Sequence, residues 1–209
     1  MYKLLTYFVL LCLFNSCAQL SLFQDARTVG KNQGNIGVNL SAYGTNDNSE
    51  ETFGVAAAPS VQVYGSYGIT EKVDIQLSLS SQGNALIAPK FQFLGDDQSR
   101  FAAAINPGVE FQIDAEGSFI LRSHLGLITS MHPSENLSIF LEPKWITQFV
   151  EDDNFQFPGA TLGAKFALGD RAALSVGASL FGITGNEDVD ANSFLYQAGL
   201  GYTFKFGGN

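Results

Sequence analysis

Basic residues are scarce in this chain. Eleven Lys and Arg stand against 20 Asp and Glu in 209 residues, a formal charge of −9. Phosphate binding needs clustered cations, so nucleic acid is excluded as a partner. Cysteine is nearly absent as well: Cys12 lies inside an amino-terminal apolar segment and Cys17 at its end. After export that leaves no pair for an intramolecular disulfide and no Cys/His spacing for a metal centre. Beyond Phe14 no run of 18 apolar residues occurs, so no transmembrane helix is expected. No Gly-rich loop opens a helix and no EF-hand spacing appears, so neither a cofactor nor a metal is expected. Histidine is limited to His124 and His132. His132 stands beside Pro133 in an expected turn. His124 lies mid-strand with Glu142 as its nearest expected acid and no placed nucleophile, which argues against an enzyme.

What the chain has in quantity is glycine and phenylalanine, 22 and 18 residues, with only 15% charged residues. That is the composition of a single all-β domain with many turns. Residues 1–18 read as a signal peptide: Lys3 precedes an apolar core from Leu4 to Phe14, and Asn15-Ser16-Cys17-Ala18 supplies small residues for cleavage. Two exits stay open, cleavage after Ala18 or lipoprotein processing that leaves a lipid on Cys17. Residues 19–33 form a periplasmic leader without alternation, read either as a mobile segment or as a short plug at one barrel mouth.

From Gly34 onward ten segments alternate with period 2, at about 34–43, 59–69, 73–81, 86–94, 100–113, 118–130, 137–148, 159–168, 172–183 and 194–206. The weakest are 86–94 and 159–168, and without them the count is eight. Successive side chains of a strand point to opposite sides. One face is apolar throughout, as in Val73, Ile75, Leu77 and Leu79. The other mixes small residues with sparse charges of both signs, which suits the inside of a narrow closed barrel better than a solvated sheet. The fold class expected is all-β: a closed antiparallel up-and-down transmembrane β-barrel of about ten strands over 34–206, with 207–209 as a tail. Trp145, Tyr67, Tyr196, Tyr202 and Phe206 fall toward strand ends on the outer face, where amphipathic rings favour a membrane interface. Tyr43 and Tyr64 face inward.

The connections at 70–72, 95–99, 131–136 and 169–171 are short. Those at 44–58, 149–158 and 184–193 are longer, with 82–85 and 114–117 as short exceptions, an asymmetry typical of outer-membrane barrels. The long-side loops carry Asp47, Glu50, Glu51, Asp152, Glu187 and Asp190 among their acids and no Lys or Arg. Hairpin arithmetic places charges opposite one another inside: Asp74 with Lys90, Glu110 with Arg122, and Glu142 with Lys165. His124 and Lys144 lie one alternation away, and Lys205 joins the same lumen network from the last strand. These are read as buried charges satisfied by pairing, or as a pathway favouring small anions.

With these features the chain resembles small outer-membrane β-barrels of Gram-negative bacteria. The leader with Ala26-Arg27-Thr28 and Gly30-Lys31, the hairpin turning at Ile69-Thr70-Glu71-Lys72 and the aromatic last strand are similar to uncharacterised small barrels of Bacteroidetes-type bacteria. The resemblance implies that Tyr202, Phe204 and Phe206 form the signal read by the barrel-insertion machinery, although the chain runs on through Gly207, Gly208 and Asn209 instead of ending on an aromatic residue. The expected partners are therefore that machinery, outer-membrane lipid and lipopolysaccharide, with the barrel a monomer in the cell outer membrane. The expected role is structural or surface-interacting, through acidic extracellular loops over a largely occluded polar lumen. A narrow channel for small solutes is the first alternative and an outer-membrane hydrolase the second.

Overall fold

The computed structural model describes residues 22–46, 58–113, 119–149, 154–185 and 193–207. The chain forms ten strands: β1 (Gln33–Asn46), β2 (Ala58–Thr70), β3 (Val73–Ser80), β4 (Asn84–Leu94), β5 (Phe101–Ile113), β6 (Phe119–Ser134), β7 (Leu137–Phe149), β8 (Asn154–Ala167), β9 (Ala172–Gly182) and β10 (Phe194–Gly207). Each pairs antiparallel with its sequence neighbours, and β1 pairs with β10, so the sheet closes. It is an up-and-down barrel of ten strands. Closure removes the unpaired edges that would otherwise recruit another chain.

The two largest boundary differences from the sequence reading fall at β8 and β6. β8 starts at Asn154 and carries Pro158 within the strand, opposite Trp145 of β7; toward β9 the ladder begins at Gly159, with one further bridge from Gln156 to Thr184. β6 runs on to Ser134 across a register shift between Met131 and Ser134. Such an irregularity accommodates Pro133, and it draws His132 out of the expected turn and into the lumen, where it is buried. The acidic loop residues, Cys17 and the last two residues of the tail lie outside the described residues.

The alternation sorts the side chains as the strand period requires. Along β3 every second residue is buried, Asp74, Gln76 and Ser78, while Leu77 and Leu79 are 55% and 65% exposed. The same inversion holds around the ring, from Leu40 on β1 to Leu200 on β10. A continuous apolar exterior of this extent is far larger than a water-soluble monomer exposes.

The lumen is not uniformly polar. Phe140 and Phe181 point inward and are fully buried. Each has a glycine directly opposite on the neighbouring strand, Gly163 for Phe140 and Gly159 for Phe181, and a Cβ on either glycine would strike the ring. Ile146, Phe157 and Phe181 cluster at the loop end. A row of inward glycines, Gly163, Gly177 and Gly199, crosses β8, β9 and β10 in register.

Candidate functional site: the lumen and its plug

Residues 22–30 do not hang free. They run inside the barrel from the short-turn mouth, with Leu22, Phe23 and Ala26 buried. Phe23 lies over Gly177 and Gly199, where any side chain would collide with its ring. Leu22 joins Tyr64, Leu86 and Ala88, and Ala26 joins Ala102, Ala104 and Ile128. Of the two readings of this leader, the structure carries the plug. The segment meets β1 through Gly30, whose φ of 90° suits glycine and whose carbonyl leaves no room for a side chain on Gly68. The Asn32 amide donates to the Gly68 carbonyl at 3.0 Å and anchors the turn.

The plug's backbone is satisfied by the barrel's side chains, as buried amides require. The Val29 N–H reaches both oxygens of Asp74 at 3.1 and 3.2 Å. The Thr28 N–H donates to Gln92 Oε1 at 3.0 Å, and its hydroxyl donates to the Glu71 carbonyl at 2.6 Å. Lys90 Nζ donates to the Arg27 carbonyl at 2.7 Å while standing 3.3 Å from Asp74 Oδ2. Asp74 and Lys90, opposite each other on β3 and β4, thus form a clamp on the leader. Arg27 ties the turn after β4 by donating to the Ser99 carbonyl at 2.6 Å.

Deeper in the lumen the Glu110 carboxylate is shared by two side chains. Arg122 Nη1 is 2.6 Å from Oε1 and His124 Nε2 is 3.0 Å from Oε2, with Arg122 Nε donating to Gln148 Oε1 at 2.6 Å. Glu110 and not Glu142 is therefore the acid beside His124. The pairing of Glu142 with Lys165 does not form either. The β7–β8 hairpin turns earlier than expected, so Glu142 faces Thr161 and Lys165 faces Ser138. The displacement is an even number of residues, so both side chains remain inside. Glu142 Oε1 instead lies 3.1 Å from Lys144 Nζ, two residues along the same face, in space left by Gly126. Lys165 Nζ lies 3.3 Å from Asp25 Oδ2 on the plug.

Asp25 had no signal in the alternation pattern because the leader has no period. Burial works against its charge, but the ammonium groups of Lys165 and Lys90 and the ring of His132 prevail and hold its carboxyl at about 2. The docked value lies below the free one, so the stabilisation of the docked plug is complete above about pH 4. It fades as the pH falls toward 2. Hydrogen exchange at the Ala26, Thr28 and Val29 amides, corrected for intrinsic rate, is expected to show the plug loosening over that window. Asp25→Asn should already be loosened at pH 6 and lose less on acidification; an unchanged profile in that variant would remove Asp25 as the cause.

Of the remaining expected residues, Lys205 borders the short-turn mouth and forms no ion pair among the described residues. Tyr202, Phe204 and Phe206 point outward, 49%, 42% and 48% exposed. Tyr64 is hydrogen-bonded to Thr203, and Tyr43 to Gln82, inside the barrel. Ser130 Oγ sits 3.0 Å from His132 Nε2, but the Ala26 N–H lies across that hydroxyl at 3.3 Å.

Among solved structures, the chain is similar to an outer-membrane channel from Pseudomonas putida F1, with a TM-score of 0.52 at 7% identity over 87% of this chain and 98% of that one. The likeness is one of fold. Matches also include the outer-membrane protease OmpT from Escherichia coli (TM-score 0.46, 9% identity, 83% of this chain and 96% of that one) and the amino-terminal barrel domain of OprF from Pseudomonas aeruginosa (0.37, 16%, 85% and 99%). No family model and no curated protein matches the chain.

Proposed function

We propose that the chain is an integral outer-membrane barrel closed by its own leader, acting as a structural and surface-interaction protein rather than as a path for solutes. The observation that carries this reading is the plug: residues 22–30 occupy the lumen from the short-turn mouth, bonded to β3, β4, β6 and β8. Beyond it, the Glu110–Arg122–His124 group and the Phe181 cluster fill lumen space toward the loop end. The apolar exterior supports a lipid environment. Tyr202, Phe204 and Phe206 would serve as the insertion signal, and the acidic loops would face outward, where divalent cations could bridge them to lipopolysaccharide. We assign no catalysis, since His124 is committed to Glu110 and the Ser130 hydroxyl is capped by Ala26.

In planar bilayers the full chain is expected to show no stable unitary conductance. Openings that disappear on Arg122→Met or Lys165→Met would overturn the closed lumen. They would favour the second reading, a narrow channel, which draws support from the cavity of about 330 Å³ beside the plug.

A further inference from the structure

That cavity has a physical origin. Ala167, Ala173 and Thr203 stand in register on β8, β9 and β10, so three neighbouring inward positions carry small side chains. Lys165 and Lys205 line the same cavity, as do Asp25 and Arg27 of the plug. The space is therefore made jointly by barrel and leader.

Its lining contains donors that the protein leaves unused. Ser138, opposite Lys165 and only 5% exposed, has a buried hydroxyl without a hydrogen-bond partner. Arg27 Nε is likewise buried and unpartnered, and Lys205 has no carboxylate within ion-pairing distance among the described residues. The two buried groups, Ser138 Oγ and Arg27 Nε, point to a missing partner, and Lys205 stands exposed at the mouth beside them. The acids Asp97, Glu135 and Asp170 line the same cavity from three different turns. A simple anion would satisfy the donors but face those acids; a simple cation would do the reverse. A molecule carrying both charges meets both sets.

We propose that this cavity binds a small zwitterion of amino-acid or short-peptide type, its carboxylate taken by Lys205, Ser138 and Arg27 and its ammonium held by the acids of the turns. The volume suits a molecule of dipeptide size, at the small end of ligand pockets. This rests on the closed-lumen reading, because the docked leader supplies one wall.

The test is calorimetric titration of the detergent-solubilised full chain with glycylglycine, its N-acetyl derivative and its carboxamide. The zwitterion is expected to bind at least about tenfold more tightly than either singly charged analogue, and Lys205→Met to weaken it by about tenfold. Equal binding of the three, no binding, or indifference to Lys205→Met would overturn the proposal. Hydrogen exchange at Ala26, Thr28 and Val29 in the same sample separates the two readings. Protected amides with no binding would refute the zwitterion site alone, whereas unprotected amides would refute the closed lumen and the site with it.

Discussion

Glu110→Leu is expected to destabilise the folded barrel by about 3–5 kcal/mol, the cost of leaving a buried charge without its partner. Glu110 is fully buried, and Arg122 and His124, which share its carboxylate, are 3% and 5% exposed. An arginine guanidinium keeps its charge in a protein interior, so Arg122 would be left without its carboxylate. Replacing both members, Glu110→Leu with Arg122→Met, should therefore recover most of the loss, because apolar side chains of similar size need no partner there. Urea unfolding in lipid vesicles, followed through Trp145 fluorescence, reads both variants. A double variant as unstable as the single one would show that the group acts through packing instead of charge.

Gly177→Leu should expel the plug while leaving the barrel closed. Phe23 lies flat against Gly177 and Gly199, and a side chain at either position would enter the space of its ring. The barrel's own ladder does not depend on that contact, since Gly177 keeps its pairing with Gly163 and Gly199. Losing the burial of a phenylalanine costs about 3 kcal/mol or more. Protection of the Ala26, Thr28 and Val29 amides against hydrogen exchange should then fall by about 100-fold, with strand amides unaffected. Gly182→Ala is the control, because the nearest atom to the added methyl is the Pro158 carbonyl at 3.9 Å. Retained protection in Gly177→Leu would mean that the polar contacts to Asp74, Gln92 and Lys165 hold the leader by themselves.

The charge network shows where reading by register succeeds and where it breaks. Asp74 with Lys90 and Glu110 with Arg122 follow from hairpins with short, well-centred connections. Glu142 with Lys165 does not, because the hairpin centre depends on where β8 begins, and a proline followed by glycine at 158–159 resembles a loop. The contact that does form, Glu142 with Lys144, was available from spacing alone, since residues two apart on a strand share a face. The inward aromatics had a signal too. Phe140 and Phe181 share the parity of the polar lumen residues, and each stands opposite a glycine once the register is known.

By itself the sequence determined an antiparallel ring of about ten strands, with eight left open, and which face of each strand is apolar. These depend on a period of two and on local turns, both written in consecutive residues. Only the tertiary structure decided that residues 22–30 fill the lumen, that Asp25 completes Lys165, and that His132 points inward. The first two outcomes depend on contacts between an aperiodic segment and strands distant in the chain, 140 residues away for Asp25 and Lys165, and the third on a register shift in β6; no local pattern encodes which side chains meet when the ring closes.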